Sequence, residues 1–554
     1  MGFVSTQEKT VIATPISGDY RVDVLLDGAG FRWNAPNPLK SPVTITYSFA
    51  ESVNYFTGKD ANGFLRFTEP ERKATREILA LISSQFNITF SEITETASAG
   101  TSFGQLRFAN NAQGTSSGYA YFPPENGVGE SFNGDNFINN AEKYLTDYSI
   151  LSTQGGYNYS LIIHEILHSL GIKHPGNYNA GEPPSAVPGN YLISSEDNSN
   201  NSVMSYVDNV QGLQRIDLGL YDMLAMTYLY GAKSYRAETN QYFFSDSAAN
   251  NSAASSAAGL KNTAVLMPDT GRFLQLVNDT GGANTFNFKS MTAGVKVNLG
   301  QGASTSAGFL ADGRTAAIDN IQIAFGTEIN SVIGSNFNDT IIGNSGANLI
   351  EGGPGNDTID GGGGVDTVVY NGPKANYLLF PLPRAFDVSS NSEGTDQLTN
   401  CERLKFTDCT VALDLGANQS AGQAALLLGA VLPGKLAIDS SKQALLGSVV
   451  GLFDAGFSMP VLSGALLRLD IWSILTGQNI KPTSRTLAED TVIVKYLLSN
   501  VYGLAADDAT VKANAEVMNG ESFQGAWLAQ LALSNAGQSH IGLVGLASTG
   551  LIFT

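Results

Sequence analysis

Histidine, cysteine and basic residues are scarce in this chain of 554 residues, which contains four His and two Cys. There are 31 Lys and Arg against 50 Asp and Glu, so the formal net charge is −19. This balance argues against nucleic-acid binding, which needs clustered Lys and Arg. An acidic surface fits simple solubility, and it fits equally well an exported protein that binds calcium through carboxylates.

The sequence also lacks a long hydrophobic run and a recognisable leader. The best apolar stretch, residues 421–438, is interrupted by Pro433 and Lys435, so we expect no membrane span. The first twenty residues, MGFVSTQEKTVIATPISGDY, have neither the basic start nor the apolar core of a signal peptide. A cytosolic protein, or one exported without a cleaved N-terminal signal peptide, is expected.

The two cysteines, Cys401 and Cys409, would be candidates for a disulfide in an oxidising medium. However, the stretch ERLKFTDCTVALD reads as strand, turn and strand, with Cys409 in the turn. Cys401 would then lie well back along the first strand, beyond disulfide reach. We favour two unpaired thiols over a disulfide.

Three of the four histidines fall within one stretch of twelve residues, HEILHSLGIKHP. His164 and His168 are four apart, so on an α-helix they share a face and can supply two zinc ligands. Gly171 can end the helix in a left-handed conformation, and that turn lets His174 return as the third ligand. Glu165 lies on the adjacent face, beside the metal's open position, where it can accept a proton from water.

The extended pattern HExxHxxGxxH resembles that of the metzincin metalloproteases. That group also has a Met-turn downstream, and the stretch SVMSY places Met204 and Tyr206 after His174. The resemblance implies that Met204 packs beneath the zinc as an apolar floor. It implies that Tyr206 is a fifth zinc ligand that swings away to hydrogen-bond the transition state. Taken singly, Met204 also fits plain core packing and Tyr206 a surface turn.

Further stretches narrow the resemblance to one group. TYSFAE (46–51), QLRFAN (105–110), SGYAYFPP (117–124) and HPGNYNAGE (174–182) are similar to the serralysins, which are secreted bacterial proteases with a calcium-binding repeat domain. The similarity implies endopeptidase activity on protein or peptide substrates, one catalytic zinc and several structural calcium ions. It also implies export by type I machinery. A cell-surface layer and a proteinaceous inhibitor are further candidate partners.

The segment SGYAYFPP is predicted to form the edge strand above the cleft, where an extended substrate would pair with its backbone. An ordinary closing strand fits the same pattern. The candidate substrate-binding residues are Gly118, Tyr119, Ala120 and Tyr121.

Four nonapeptides run back to back from residue 334: GSNFNDTII, GNSGANLIE, GGPGNDTID and GGGGVDTVV. The third matches the calcium-binding RTX pattern GGxGxDxUx throughout. Two nonapeptides form one coil of a parallel β-roll, so Asp339 and Asp357 are expected in one row and Asp366 in the other. Asn348 replaces Asp in the second repeat, so its row should bind calcium more weakly or hold fewer ions. The candidate calcium-binding residues are Gly334, Asp339, Gly343, Gly352, Gly353, Gly355, Asp357, Gly361, Gly362, Gly364 and Asp366.

A Gly-rich flexible linker is the alternative reading of this stretch, and the recurrence of Asp in register with Ile or Val two residues later disfavours it. We predict a multidomain fold with an α+β metzincin protease domain, a parallel β-roll or β-sandwich RTX domain and an all-α C-terminal domain. That helical domain is atypical of the serralysins. The predicted segments are an N-terminal extension (1–45), the zinc metalloprotease domain (46–240), a β-rich domain (241–333), the roll (334–372), a closing β segment (373–415) and the helical domain (416–554).

The predicted function is that of a bacterial zinc-dependent endopeptidase, secreted or associated with the cell surface and stabilised by calcium. One alternative is a non-catalytic or narrowly specific surface-layer RTX protein that uses the protease scaffold and the helical domain for binding. The intact Glu165 speaks against it. A second alternative is a metal-dependent hydrolase of lipids or glycans, which the family resemblance disfavours.

Overall fold

A computed structural model of the chain describes most of its residues, in two compact units that comprise Met1–Ser331 and Val332–Thr554. Fourteen α-helices and 24 β-strands lie in the part that it describes. The described residues are 2–4, 17–95, 102–145, 156–178, 191–246, 264–267, 271–382, 385–433, 440–503, 505–520, 524–541 and 550–554.

The first unit is built around a six-stranded sheet and six helices. The strands are β1 (Gly2–Val4), β2 (Val43–Phe49), β3 (Ile88–Glu92), β4 (Leu106–Asn111), β5 (Gly118–Ala120) and β6 (Asp135–Asn139). The helices are α1 (Tyr20–Asp23), α2 (Gly58–Ala61), α3 (Glu69–Gln85), α4 (Glu142–Leu145), α5 (Tyr157–Ser169) and α6 (Leu220–Tyr230). The strand order is β1-β5-β6-β4-β2-β3, and only the β5–β6 pair is antiparallel.

Local signals explain where the two long helices of this core begin and which face they bury. Helix α3 starts with a capping box, in which Thr68 and Glu71 each bond the other's backbone N–H, and it buries Ala74, Ile78 and Ile82 at four-residue spacing. Helix α5 is buried on all sides from Asn158 to its end. A helix surrounded by core presents its polar residues only to an interior site.

The remainder of the first unit is a β-rich region in which β7, β8 and β10 are parallel neighbours. Strand β13 pairs with β9 in parallel and with β12 in antiparallel orientation. Strand β14 (Ile329–Ile333) contains the boundary between the units. The other strands are β7 (Gln241–Phe244), β8 (Ala264–Met267), β9 (Gln275–Val277), β10 (Asn284–Asn287), β11 (Lys296–Asn298), β12 (Ser304–Thr305) and β13 (Ile321–Ile323).

The second unit opens with short strands that repeat along two parallel stacks, β15–β17–β21 and β16–β18–β22. Each strand buries one apolar residue in the interior of the roll: Ile341, Ile350, Ile359, Val368, Leu398 and Leu404. An antiparallel hairpin, β19–β20, separates β18 from β21 in sequence and pairs with β21. The strands are β15 (Thr340–Ile342), β16 (Leu349–Glu351), β17 (Thr358–Asp360), β18 (Thr367–Val369), β19 (Leu378–Leu382), β20 (Ala385–Ser390), β21 (Gly394–Thr399), β22 (Arg403–Lys405), β23 (Thr410–Ala412) and β24 (Leu551–Phe553).

Eight helices lie between strands β23 and β24 of the second unit. Trp472 is fully buried among them. They are α7 (Ser420–Val431), α8 (Ser440–Asp454), α9 (Met459–Leu467), α10 (Ile471–Thr476), α11 (Leu487–Tyr502), α12 (Asp508–Gly520), α13 (Gly525–Leu533) and α14 (Asn535–Ile541). The prediction of an all-α region for 416–554 misses β24, which pairs with β23. Because β23 lies about 140 residues earlier in the sequence, the local sequence pattern does not predict strand β24.

The cysteines, the membrane-span prediction and the N-terminal segment can each be compared with the structure. Cys401 and Cys409 are both free thiols, and Cys401 is buried. Among the described residues, none of the helices combines the length and the hydrophobicity that crossing a bilayer requires. In the N-terminal segment, Val22, Leu25 and Leu26 belong to the core of the first unit.

Candidate metal centre

The turn after helix α5 brings the third histidine back towards the first two. The helix ends at Ser169, and Gly171 adopts a φ of 99°. A Cβ at Gly171 would overlap the carbonyl oxygen of Phe31, so both the backbone conformation and the close approach require glycine. The chain then reverses, and His174 faces the two histidines of the helix.

The three imidazoles converge on one point. The ligating nitrogens of His164, His168 and His174 lie within 4.8 Å of one another, and all three residues are buried. The Nε2 atom of His174 lies 3.2 Å from that of His164 and 3.0 Å from that of His168. Two ligands of a tetrahedral zinc with bonds of about 2.0–2.1 Å would be roughly 3.3 Å apart. The observed separations are close to that spacing.

The hydrogen bond made by Nδ1 determines the protonation state of each imidazole ring. Each Nδ1 faces a backbone carbonyl oxygen, which can only accept, so each Nδ1 carries the hydrogen and each Nε2 presents a lone pair. The pairs are His164 with Val203 (2.9 Å), His168 with Ile172 (2.7 Å) and His174 with Tyr178 (3.2 Å). Burial lowers the pKa of His164 to about 3 and that of His168 well below its ordinary value. Neutral rings with inward lone pairs are the form that binds a metal.

Glu165 lies in the same interior, and neither of its carboxylate oxygens has a hydrogen-bond partner among the described residues. Its side chain is buried, with 1% of the residue exposed, and burial raises the pKa of this carboxyl well above its ordinary range. A Cβ added to Gly118 would lie 2.7 Å from Oε1, so strand β5 passes directly beside it. A buried carboxylate without partners is costly unless a cation, a water or a substrate group completes it.

The loop whose Val203 carbonyl accepts from His164 is itself held by Asp222, on helix α6. Asp222 accepts hydrogen bonds from the Ser202 hydroxyl (2.5 Å), the Val203 N–H (2.8 Å) and the Gly219 N–H (2.7 Å). Met204, the predicted Met-turn residue, follows directly and is fully buried in the same core. The tight turn therefore aims the Val203 carbonyl at the ring of His164.

Tyr206 lies against the histidine cluster. Its ring centroid is 4.5 Å from that of His174, and its ring stacks on that of Tyr178 with the centroids 4.6 Å apart. Tyr178 also accepts the Tyr206 N–H and donates its hydroxyl to Asp197 (2.8 Å). Tyr178 and Asp197 therefore position Tyr206. The sequence patterns assign a role to neither residue, although Tyr178 lies within the stretch HPGNYNAGE.

Strand β5 differs from the prediction of a free edge strand. It pairs with β6 on one side and, in parallel, with the short strand Gly2–Val4 on the other. The side chains of Tyr119 and Tyr121 are buried and donate to Asp60 at 2.6 and 3.0 Å. Of the candidate substrate residues, Gly118 faces the site, whereas the two tyrosine side chains stabilise the sheet. The pattern of alternating aromatic residues does not show which residues of this strand face the site and which stabilise the sheet.

In the second unit, the first nonapeptide lies beside the third and the second beside the fourth. Asp357 and Asp366 each accept one N–H from the neighbouring coil, and within the described ranges the Oδ2 atom of each has no hydrogen-bond partner. Burial raises the pKa of both carboxyls to about 7. Unpartnered buried oxygens beside tight turns fit a hard cation such as Ca²⁺. Four predicted glycines of these turns have positive φ angles: Gly353, Gly355, Gly362 and Gly364.

The other four predicted glycines provide close backbone approach. A Cβ on Gly334 would overlap the Gly352 carbonyl oxygen, and one on Gly343 would overlap that of Gly361. A Cβ on Gly352 or on Gly361 would itself crowd the carboxylate of its own repeat. Asp339 differs from Asp357 and Asp366, because its carboxylate accepts hydrogen bonds from both the N–H and the hydroxyl of Ser335.

Parts of the chain resemble known proteins. A model of the RTX calcium-binding nonapeptide repeat matches four copies at residues 333–368. Serralysin of Proteus mirabilis is 30% identical over 332 residues, covering 56% of this chain and 61% of the relative. Metallopeptidase AprA of Pseudomonas marginalis is 29% identical (57% and 63% covered), and serralysin C of Dickeya chrysanthemi is 30% identical (56% and 60%).

The chain thus spans about three-fifths of the length of these curated relatives. The similarity to serralysin-type metalloproteases with RTX repeats, expected from the sequence, is confirmed.

We predict that Gly171→Ala loses metal while a matched glycine variant keeps it. The new Cβ would collide with backbone and displace His174, so zinc per folded chain after dialysis should fall at least tenfold. Gly212→Ala is the control, because Gly212 also has a positive φ (69°) but open space around it. It should cost only about 1–2 kcal/mol of stability. Equal zinc content in the two variants, measured by elemental analysis with circular dichroism as the folding check, would contradict this role.

Proposed function

We propose that the chain is a zinc-dependent endopeptidase of the metzincin group, acting on protein or peptide substrates and stabilised by calcium in its repeat region. The observation that carries the proposal is the convergence of three inward Nε2 atoms beside an unpartnered, buried Glu165. The names of the most similar relatives agree with it.

His164, His168 and His174 would hold the zinc. When bound there, zinc supplies a Lewis acid that polarises a peptide carbonyl and makes water a better nucleophile. The three backbone carbonyls that accept from Nδ1 keep the rings neutral and correctly oriented. Because no group in the described part of the chain bonds to the two oxygens of Glu165, they would be available to the reacting molecules.

Glu165 would act first as general base and then as general acid. As a carboxylate it removes a proton from the attacking water, and as a carboxylic acid it gives that proton to the departing amine. Its raised pKa favours this second role, because the group holds the proton long enough to deliver it. Burial also excludes bulk water, which would otherwise compete for the proton.

Tyr206 is the candidate donor to the oxyanion that forms on the substrate carbonyl, and the candidate fifth zinc ligand before substrate binds. Stacking on Tyr178 and the backbone bond to the Tyr178 hydroxyl limit where its ring can move. A donor held in this way needs little reorganisation when charge develops.

Strand β5 would align the substrate. Its outer edge already accepts one extended segment, Gly2–Val4, in parallel register, with Gly2 opposite Gly118 and Val4 opposite Ala120. Main-chain pairing of this kind binds extended peptides with little dependence on their sequence. The position beside Glu165 places a paired backbone next to the catalytic carboxylate.

The cellular setting belongs to the same proposal. We infer secretion from a bacterium by type I export machinery. A cell-surface layer and a proteinaceous inhibitor are the partners to be sought. Calcium in the repeats would offset the repulsion between buried carboxylates, so folding would be favoured outside the cell.

We predict that Glu165→Gln abolishes peptide-bond cleavage without removing the metal. The amide cannot accept the proton, so the rate of casein cleavage should fall by about 10²–10⁴. Zinc content should stay at the wild-type level, since the histidines are unchanged. Glu77→Gln, at an exposed position on helix α3, is the control and should retain full activity. Wild-type protein that holds zinc but cleaves no casein would instead favour the non-catalytic alternative.

We also predict that a chain beginning at Ser17 binds substrate more tightly than the full chain. Removing residues 1–16 frees the edge of β5, so KM for a peptide substrate should fall several-fold while kcat stays constant. Substituting both Phe3 and Val4 with Pro in the full chain removes backbone N–H donors and should have the same effect. Unchanged KM values in both variants would show that the Gly2–Val4 strand does not compete with substrate.

A further inference from the structure

The parallel stacking of the roll does not stop where the four nonapeptides end. Strand β21 continues the stack of β17, with Gln397 opposite Thr358, and β22 continues that of β18, with Arg403 opposite Thr367. Leu398 is buried below the middle residue of β17, as Leu404 is below that of β18. Two strands outside the matched repeats thus form a third coil.

The sequence of this third coil keeps a degenerate form of the repeat. The stretch GTDQL from Gly394 has the spacing of GNDTI from Gly355, and NCERL from Asn400 has that of GVDTV from Gly364. Glutamate replaces aspartate in the second case. Asn400 has a φ of 49°, a region that asparagine tolerates better than most residues. The β19–β20 hairpin separates these stretches from the fourth nonapeptide, so a search for consecutive repeats misses them.

The carboxylates of the third coil occupy the same place in the hydrogen-bond ladder as those of the repeats. Within the repeats, a backbone N–H of one coil donates to the carboxylate of the next, from Asp339 to Asp357 and from Asn348 to Asp366. The ladder then continues in both rows. Asp357 N–H donates to Asp396 Oδ1 (3.0 Å) and Asp366 N–H donates to Glu402 Oε2 (2.8 Å).

The unsatisfied oxygens of the roll border this third coil. In the part of the chain that the structure describes, Asp357 Oδ2 and Asp366 Oδ2 have no hydrogen-bond partner, although the two residues are only 1% and 0% exposed. One coil earlier, Asp339 is bonded by Ser335, and Asn348 is neutral and accepts the Asn344 N–H. The buried carboxylate oxygens that most need a cation as a partner therefore lie between the second coil, formed by the third and fourth nonapeptides, and the third coil.

Backbone oxygens approach there as they do within the repeats. A Cβ on Gly361 would overlap the Asn400 carbonyl oxygen, and one on Gly394 would overlap that of Gly355. Carboxylate and carbonyl oxygens together are the ligands that Ca²⁺ prefers. The pair Asp366–Glu402 also carries two acids, whereas Asn348–Asp366 carries one, so the third coil restores charge that the second repeat lacks.

We propose that Asp396 and Glu402 complete two further calcium sites, one shared with Asp357 and the other with Asp366. The proposal rests on calcium binding by the roll, and it does not depend on peptidase activity. It makes the third coil the functional end of the calcium-binding region, about 35 residues beyond the last matched repeat.

Calcium stoichiometry in the full chain tests this proposal. Asp396→Asn and Glu402→Gln keep an oxygen that can accept the ladder hydrogen bond but remove the charge. After chelation and dialysis, isothermal titration with Ca²⁺ should show, for each variant, one site lost or weakened at least tenfold. Asp408→Asn, an exposed acid outside both rows, is the control and should match wild type. Wild-type stoichiometry and affinity in both variants would overturn the proposal.

Asp357→Asn separates failure of this inference from failure of calcium binding by the repeats. If Asp357→Asn loses calcium while Asp396→Asn and Glu402→Gln do not, only the third coil is wrong. If wild type binds no calcium, the broader proposal fails as well. Should a variant not fold, crystals of wild type soaked with Tb³⁺ give an independent answer. Anomalous density beside Asp396 and Glu402 is expected, and its absence there, with density at the repeats, would overturn the proposal.

Discussion

Three backbone carbonyl oxygens determine what the histidine cluster can do. By accepting from Nδ1 they force each imidazole to turn an unprotonated Nε2 towards the other two. They come from three segments: the turn after helix α5, the loop that follows His174 and the loop before Met204. Gly171 permits the first of these turns, and Asp222 holds the last. The candidate chemistry therefore depends on backbone positions as much as on the histidines.

The roll shows the same arrangement of polar groups as the histidine cluster, with carboxylates in place of imidazoles. At Asp357 and Asp366, one carboxylate oxygen accepts a backbone hydrogen bond from the neighbouring coil, and the other has no partner among the described protein groups. Near neutral pH, such buried oxygens repel one another unless a cation lies between them. In both places the fold satisfies one end of a polar group and leaves the other end for a metal, which couples metal binding to the stability of the folded chain.

The sequence predicted those features that depend on local spacing. The four-residue interval of His164 and His168, the helix-ending Gly171 and the nine-residue period of the repeats are all fixed by helix or coil geometry. Contacts between distant segments gave no such signal. Asp222 reaches Val203 across 19 residues, β24 pairs with a strand far earlier, and Gly2–Val4 covers β5. A hairpin insertion hid the third coil in the same way, because it broke the period.

The central claim is that three neutral imidazoles bind one zinc ion through Nε2. X-ray absorption at the zinc edge, on purified protein loaded with one equivalent of zinc, tests it most directly. The account predicts three nitrogen ligands of imidazole type at about 2.0–2.1 Å, with the remaining coordination supplied by oxygen. A spectrum that requires fewer than three imidazoles, or protein that retains no zinc after gel filtration, would contradict it.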